Sequence, residues 1–327
     1  MTQQEADSDR LPGREPVAEA QSEGVGPNPS AVARRDHRRS ELARLAPWVA
    51  PAVTILAVVF GYSFYRLVGE SLHFRDEWVG LSNFSSVLSN PVFRTAVWHN
   101  ALLLAMVPLI VVISYVLAAL VHSRVAGWQT FRSTLLLPYI LPIPVVAVVF
   151  GQILQLNGAL NAVLDGLGLG FLAQDWLGDP GLALWSLAGV IVWREVGLGA
   201  TLILASLVSV PETQFEAAAL DGAGPVKTHI RVIAPQVRGV VVFFGVLEAI
   251  TMVSYVFNYV YVISNGRGGP GTSTMVTELF IYQNAFQYRA PGFAAAAAVL
   301  LLLGTSVLIA SFYKIERRML SGHEAVK

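Results

Sequence analysis

The sequence has no cysteine and few charged residues. Of its 327 residues, 13% are charged and 54% are hydrophobic, whereas an ordinary soluble domain has roughly 25% charged residues. The absence of cysteine excludes disulfide scaffolds, thiolate metal sites and cysteine nucleophiles. Lysine plus arginine equals aspartate plus glutamate at 22 each, so the basic excess typical of nucleic-acid binding is missing. This composition excludes a soluble enzyme and indicates a membrane protein.

The apolar residues gather into long runs, and a membrane-crossing helix needs roughly 20 of them. Backbone amides in lipid can bond only within a helix or a closed barrel, and these runs lack the polar alternation of barrel strands. We therefore predict an all-α membrane protein with six transmembrane helices. The spans are expected at residues 47–68, 97–121, 133–155, 182–206, 237–263 and 292–313.

Lysine and arginine are distributed unevenly between the loops, which predicts the orientation of the chain. The face that carries both termini is rich in them, and Arg124, Arg132 and Lys227 lie in its loops. The opposite face has fewer, and none occurs between Asn157 and Gly181. We therefore expect a multi-pass protein of the bacterial inner (plasma) membrane, in contact with lipid, with both termini in the cytoplasm.

The first 45 residues are polar and rich in proline and glycine, so they cannot bury enough surface to fold. They predict a disordered cytoplasmic tail, followed by a six-helix membrane domain over residues 46–320. A cleaved secretory signal is the competing interpretation. It is disfavoured because the charged leader and the apolar segment are both longer than such signals have.

The segment of residues 209–237, between the fourth and fifth spans, is too polar for the membrane and too regular for a linker. Ser209 and Glu212 have capping-box spacing, with Pro211 in the first turn, which predicts a short helix starting there. Gly222 supplies its stop. A helix this short is unstable alone in water, and its small alanine face has little to bury against its own subunit. We therefore expect it to fill a groove in a partner.

Phe215, Ala218 and Ala219 are expected to share one face of this helix, at i, i+3 and i+4 spacing. On composition alone, a connecting turn with a generic alanine-rich helix explains the segment equally well. Capping boxes and such apolar pairs are common in sequences of any function.

A group of residues in this helix, with a later proline, forms a more specific motif. They are Glu216, Ala217, Ala218, Asp221, Gly222, Ala223 and Pro235. The motif resembles the EAA loop of the permease subunits of binding-protein-dependent ABC importers. Similarity to the carbohydrate-uptake branch of that family, the maltose and glycerol-phosphate type, runs from residue 47 to the C terminus. Its marks include Gly80, Leu81, Asn83, Phe84, Asn157, Gly158 and Asn161.

This resemblance implies the type I ABC importer permease fold, with the chain as one of two membrane subunits and a different protein as the second. It implies a coupling helix docked in a cleft of a separate ATPase, and an extracytoplasmic binding protein that delivers a sugar or polyol. The ATPase-coupling residues carried over are Glu216, Ala217, Ala218, Asp221, Gly222 and Ala223. No cofactor is implied. The sequence has no G-x-x-x-x-G-K-[ST] phosphate loop, so ATP hydrolysis is expected in another subunit.

Ionisable residues inside spans are costly and mark either a transport path or contacts between helices. The candidates for a translocation path are Arg194, Glu195, Glu248, Tyr255 and Asn258. Adjacent helix positions point about 100° apart, so we expect Arg194 to pair with Glu248 rather than with Glu195. His99 and Asn100 are expected at the outer membrane interface. No histidine pair or carboxylate cluster has the spacing of a metal site.

Two other classes of protein were weighed against the importer permease. A secondary transporter commonly has an internal repeat and ion-coupling carboxylates at broken helices, and no clear repeat relates the halves of this sequence. An integral-membrane enzyme needs a cluster of nucleophile, base or metal ligands, which the sequence lacks. The sequence therefore predicts an ABC importer permease, with a secondary transporter as the alternative.

Overall fold

The computed structural model describes residues 29–75, 77–123 and 127–324, most of which are helical. The chain divides into two compact units, one ending at Tyr62 and the other beginning at Ser63. The helices and strands are α1 (Pro29–Ser71), β1 (His73–Phe74), β2 (Glu77–Trp78), α2 (Ser82–Ser89), α3 (Pro91–Leu104), α4 (Val107–His122), α5 (Trp128–Leu135), α6 (Leu137–Ile140), α7 (Ile143–Ile153), α8 (Ala159–Gly166), α9 (Ala183–Val208), α10 (Glu212–Leu220), α11 (Pro225–Thr228), α12 (Ala234–Ser254), α13 (Phe257–Ile263), α14 (Thr277–Tyr282) and α15 (Pro291–Glu324).

Within the described residues, five single segments are long and apolar enough to cross a membrane, and a bent pair of helices makes a sixth. The single segments are Pro47–Ser71, Pro91–His122, Ala183–Val208, Pro225–Ser254 and Pro291–Phe312. The bent pair, Trp128–Ile140 and Ile143–Ile153, turns through 98°. It lies where the third span was expected. The predicted helical architecture with six spans is confirmed, and the sharp bend is an addition that the sequence analysis did not foresee.

Prolines account for the bend in the third span. Pro142 separates α6 from α7, and the residue before it, Leu141, is extended with a ψ of 133°. Proline has no amide hydrogen and disfavours helical backbone in the residue that precedes it. The carbonyl groups at the end of α6 therefore lose their helical partners and need other donors.

Helix α1 begins at Pro29, earlier than the tail boundary expected at residue 45. Residues 29–45 are thus helical, whereas residues 1–28 of the expected tail lie outside the described residues. The difference has a local cause, because this stretch is rich in arginine and alanine, which are strong helix formers.

The fifth span also begins earlier than expected. Helix α11 starts at Pro225, and a π-helical turn over His229–Ile233 joins it to α12. Pro235 lies in the first turn of α12 but inside a helical run that continues from α11, where its missing amide hydrogen would break a regular α-helix. The π turn accommodates it, since the amide of Ala234 bonds back to the carbonyl of His229.

On the side of the membrane opposite the 209–237 loop, an asparagine joins the end of α1 to α2. The buried Asn83 amide donates to the carbonyl oxygens of Ser71 and His73, both at 2.9 Å. The strands β1 and β2 pair as a short antiparallel hairpin in between. A Cβ atom on Gly292 would collide with the His73 carbonyl, so the start of α15 packs directly on this hairpin.

The core of the second unit lies where α4, α9 and α12 pack together. A Cβ atom on Gly199 of α9 would collide with Ser114 of α4 and Phe244 of α12. Small residues at helix crossings allow close approach in membranes. A separate, smaller apolar cluster lies at the end of these helices nearest α10. Its buried members are Ala118, Ile203, Leu207, Ile233 and Val237.

Candidate functional site

The 209–237 loop contains the predicted short helix, but this helix starts later than expected. An N-cap residue needs an extended backbone, whereas Ser209 is still helical (φ −82°, ψ −7°). Its hydroxyl donates to the carbonyl oxygen of Ser206 at 2.6 Å, so Ser209 ends α9. Pro211 occupies the N-cap position of α10, and no side chain caps that helix. The predicted capping box is therefore wrong.

The other end of α10 is closed by a Schellman motif. The amide of Gly222 bonds to the carbonyl of Ala219 at 3.0 Å, and the amide of Ala223 bonds to the carbonyl of Ala218 at 2.9 Å. This arrangement needs a residue in the left-handed conformation, and Gly222 has a φ of +74°. Glycine adopts that conformation without steric cost. Gly222 stops the helix as predicted.

Most of the predicted coupling residues face away from their own subunit. The exposed ones are Glu216, Ala217, Asp221 and Gly222. Leu220, the last residue of α10, is 89% exposed. Within the described ranges, the carboxylates beside it form no ion pair.

The face of α10 that turns toward its own subunit is narrow. Ala218 is buried and Phe215 is half-buried, whereas Ala219, expected on the same face, is exposed. Ala223 is half-buried beyond the helix end. Phe215 packs against the small apolar cluster at the ends of α4, α9 and α12. The helix is thus held by Phe215 and Ala218, together with Gln214, whose side-chain oxygen accepts a hydrogen bond from Gln236 of α12.

Within the spans, Arg194 pairs with its neighbour Glu195, contrary to the prediction. The Nη1 atom of Arg194 lies 2.7 Å from Oε1 of Glu195, and both side chains are almost fully buried. Although adjacent Cβ atoms point in different directions, the arginine side chain is long enough for the guanidinium to bend back to the neighbouring carboxylate. The Tyr259 hydroxyl donates to the same Oε1 atom at 3.2 Å.

The remaining donors of Arg194 bind the bend in the third span. Nη2 donates to the carbonyl oxygens of Tyr139 (2.9 Å) and Leu141 (3.3 Å), and the guanidinium lies over the Tyr139 ring at 4.5 Å. These are carbonyl groups that the proline break leaves without helical partners. Arg194, Glu195, Tyr259 and the Tyr139–Leu141 backbone form what we call the buried polar cluster. It joins the fourth span to the third and to α13.

Glu248 does not take part in this cluster through hydrogen bonds. It is 0% exposed, and neither of its carboxylate oxygens has a hydrogen-bond partner. The predicted pairing of Glu248 with Arg194 is therefore wrong. The physical reason is that Arg194 already directs its donors to Glu195 and to the carbonyl groups of the bend.

The two remaining candidates for the translocation path are separated from this interior. Tyr255 is 60% exposed, and Asn258 is also exposed. Both lie where α12 ends and α13 begins. The five predicted path residues thus fall into a buried group, Arg194, Glu195 and Glu248, and an exposed pair. Tyr259, which is not among the predicted path residues, belongs to the buried group.

Two residues expected at the membrane interface prove to be buried connectors. The Asn100 amide donates to the carbonyl of Met252 at 3.0 Å, and its oxygen accepts from the backbone amide and hydroxyl of Thr277, both at 2.9 Å. The His99 ring nitrogen Nδ1 lies 2.8 Å from the carbonyl oxygen of Met275. The burial of Asn100 has a signal in the sequence, because an amide side chain in an apolar run needs a partner within the protein.

On the side of the membrane opposite α10, a cavity of about 450 Å³ opens between the start of α3 and the segment that precedes α15. Arg267 is its charged residue, and the rest of the lining is mostly amide, hydroxyl and aromatic. The lining residues include Asn90, Arg267, Gln283, Asn284, Gln287 and Tyr288. Arg267 is exposed and forms no ion pair with any described residue.

The sequence matches a known family and several characterised proteins. The family described as "Binding-protein-dependent transport system inner membrane component" matches residues 103–321. The probable ABC transporter permease protein YurN of Bacillus subtilis is 33% identical over 236 residues, which cover 71% of this chain and 80% of YurN. The diacetylchitobiose uptake system permease protein NgcF of Streptomyces coelicolor is 30% identical over 332 residues, which cover 93% of this chain and 92% of NgcF.

The fold also matches solved structures. It superposes with a TM-score of 0.72 on a chain of a bacterial ABC transporter involved in the import of the acidic polysaccharide alginate, at 18% identity, covering 86% of this chain and 99% of that one. A chain of the alginate transporter in complex with its alginate pentasaccharide-bound periplasmic protein gives a TM-score of 0.71 at 18% identity, covering 86% and 97%. At this level of identity the similarity concerns the fold.

Proposed function

The chain belongs to the family of binding-protein-dependent transport system inner membrane components, and on that premise we propose that it imports a sugar or related polyol with energy from a separate ATPase. It is a solute permease subunit of an ABC importer, as its relatives are. The proposal adds the cargo, the partners, the orientation and the residues that couple the subunit to ATP hydrolysis.

The observation that carries the proposal is the shape of α10. Its C-terminal end is closed by backbone bonds, its inner face is held by Phe215 and Ala218, and its outer face presents Glu216 and Leu220. A short helix that is rigid and open on one side can transmit force to a neighbour. Closure of an ATPase can change the membrane helices only through such a contact, because a ligand acts only through its different affinity for two states.

We propose that Glu216, Ala217, Ala218, Asp221, Gly222 and Ala223 serve this coupling. Exposed Glu216 and Asp221 and the apolar Leu220 meet the ATPase directly, whereas Gly222 and Ala223 fix the end of the helix through their backbone. The face that carries the 209–237 loop is then cytoplasmic, as are both termini. ATP hydrolysis is proposed to take place in another subunit, which membership of the family supports.

Sugar is the cargo that the characterised relatives support. Those named for a solute include uptake permeases for diacetylchitobiose, xylose and arabinose, and lactose. A second permease, a different chain, completes the path, and an extracytoplasmic binding protein delivers the solute. Within the chain, exposed Tyr255 and Asn258 are the path residues that we favour. We assign Arg194 and Glu195 to holding the third and fourth spans and α13 together. Glu248, whose carboxylate has no hydrogen-bond partner, is assigned to neither role.

Affinity purification of the tagged chain from native membranes tests the assembly. We expect an ATPase, a second permease and a binding protein to copurify, and the binding protein to take up a sugar in ligand screening. Recovery of the chain without any ATPase would contradict the proposal.

Substitution at α10 tests the assignment of the loop. Glu216→Lys should abolish solute uptake while the protein still inserts, because a reversed charge at the docking surface disfavours the ATPase. Glu77→Lys, the same change in an exposed residue of β2 on the opposite face, is the matched control and should transport normally. Unaltered uptake by Glu216→Lys would contradict the assignment.

A further inference from the structure

The ring of Phe215 on α10 lies between two histidines from different spans. The His122 imidazole stacks on it with ring centroids 5.1 Å apart and planes at 24°. The His229 ring meets it edge-on at 6.1 Å and 67°. His122 is the last residue of α4, and His229 begins the π turn that leads into α12. One side chain of α10 therefore contacts the ends of two spans at once.

A tyrosine ties these two spans to each other at the same place. The hydroxyl of Tyr115, on α4, lies 3.3 Å from Nδ1 of His229 and donates to the His229 carbonyl oxygen at 3.3 Å. The two rings are 6.1 Å apart and nearly perpendicular. We call Tyr115, His122, Phe215 and His229 the aromatic clasp. Offset-stacked and edge-to-face ring pairs like these are attractive and have defined geometry.

The covalent connection between α10 and the fifth span is less suited to carrying movement. It runs through Gly222, with a left-handed backbone, and Gly224 before α11 begins. Glycine allows more backbone conformations than any other residue. The π turn at His229–Ile233 is itself a local departure from the α-helix of a type often found at functional sites. If α10 moved, this connection would bend and the spans would stay in place, unless side chains of α10 also packed against the spans.

Resting on the proposed function, we propose that Phe215 is the positioning residue that transmits the movement of α10 to the second and fifth spans, through His122 and His229. The ring moves with α10 because it is part of that helix, and it moves α4 and the π turn because it is packed between them. Loss of the ring leaves the ATPase-facing surface of α10 unchanged, since Glu216, Leu220 and Asp221 point outward. The ATPase would still bind and hydrolyse ATP, but the helices would not follow.

The test uses the complete transporter, purified with the ATPase and second permease that accompany the wild-type chain and reconstituted in lipid vesicles. For Phe215→Ala we expect the ATPase to copurify in normal amount and ATP hydrolysis to stay within about twofold of wild type. Solute uptake should fall at least tenfold, and hydrolysis should no longer respond to the solute-loaded binding protein. This split between hydrolysis and uptake is a readout that a purely structural role would not produce.

Two further variants and a control keep the test decisive. Phe215→Leu preserves apolar volume without a ring and should show the same split in milder form, even if Phe215→Ala accumulates poorly. Phe215→Tyr keeps the ring and should restore coupling. Val210→Ala removes apolar volume from a residue that packs on the same small cluster but carries no ring, and it should leave coupling intact.

The outcomes separate this inference from the proposed function. If the wild-type chain binds no ATPase, the proposed function fails. If the wild-type transporter works and Phe215→Ala and Phe215→Leu transport normally, or if both lose the ATPase altogether, the proposed function stands and the role of Phe215 is overturned.

Discussion

The 209–237 loop and the buried polar cluster use the same residue types in opposite ways. In the loop, Glu216 and Asp221 are exposed and form no ion pair with any described residue. In the cluster, Arg194 and Glu195 are buried, and each has partners within the chain. Charges that are satisfied inside a subunit hold that subunit together, whereas charges without an internal partner remain available to another protein. The contrast supports our proposal that the buried polar cluster serves assembly and the loop serves coupling.

Arg194→Leu should have the largest effect, on folding rather than on transport alone. It leaves the Glu195 carboxylate buried without its cation and the carbonyl groups of the bend without donors. Removal of one partner from a buried ion pair costs about 3–5 kcal/mol, so we expect little folded protein by size-exclusion chromatography of solubilised membranes. Arg194→Lys should not rescue it, because a lysine cannot reproduce the forked donors of a guanidinium. If Arg194→Leu accumulated normally but had altered solute selectivity, the comparison would be wrong and Arg194 would belong to the translocation path.

The next prediction concerns two carboxylates in adjacent spans, for which loss of charge should affect the melting temperature differently. Glu195→Gln removes the counterion of Arg194 and should lower the melting temperature of the purified protein. Glu248→Gln replaces a fully buried group that has no hydrogen-bond partner with an uncharged one, so the melting temperature should stay equal or rise. A large fall in the melting temperature of Glu248→Gln would contradict this contrast, because it would show that the Glu248 carboxylate has a partner.

A pair of glycines in the loop should show a smaller effect. Gly222→Ala forces a side chain into a left-handed backbone with φ +74°, which costs about 1–2 kcal/mol. The fraying of α10 should reduce the amount of copurified ATPase severalfold. Gly224→Ala is the matched control, because its φ is −68° and a Cβ atom there meets nothing within 4 Å. Equal ATPase recovery from both variants would show that the end of α10 does not contribute to docking.

A final prediction, on pH dependence rather than on assembly, concerns Glu278, a half-buried carboxylate outside the spans that is bound to backbone. Its Oε2 atom accepts from the amide of Phe257 at 2.9 Å, and burial raises its pKa from 4.5 to about 7. The folded protein therefore binds an extra proton between these values, and its stability should decline as the pH rises from 4.5 to 7 and level off above.

Thermal unfolding of Glu278→Gln at several pH values tests this assignment. The variant should lose that part of the pH dependence, whereas Glu77→Gln, at an exposed site, should keep it. If the pH dependence of stability were unchanged in Glu278→Gln, another group would be its cause.

The sequence was sufficient for the spans and for the motif of the loop, because both depend on residue patterns that are local along the chain. The pairing of Arg194 with Glu195 could not be predicted from helix periodicity, which gives the direction of a Cβ atom but not the reach of a long side chain. The bend was accessible in principle, since Pro138, Pro142 and Pro144 are evident in the sequence. The partner of Arg194 at this bend depends on how two spans pack, which no local pattern contains.

The same limit applies to the two ends of α10. Gly222 was predictable, because a left-handed helix end has a strong residue preference. Ser209 was not, because its spacing from Glu212 fits a capping box, whereas the fourth span continues through it and uses its hydroxyl for an internal bond. The ring contacts of Phe215 with His122 and His229 join residues far apart in sequence, so only the fold could reveal them.

The central claim is that the outer face of α10 docks on a separate ATPase, and site-directed cross-linking tests it most directly. Because the chain contains no cysteine, Leu220→Cys introduces a single thiol at a residue that is 89% exposed. Val163→Cys, at a residue that is 58% exposed in α8 on the opposite side of the membrane, is the control. A short photoactivated linker on the Leu220→Cys thiol should yield a covalent adduct with the ATPase, and the control should yield none. No adduct from Leu220→Cys in a transporter that still imports solute would contradict the account.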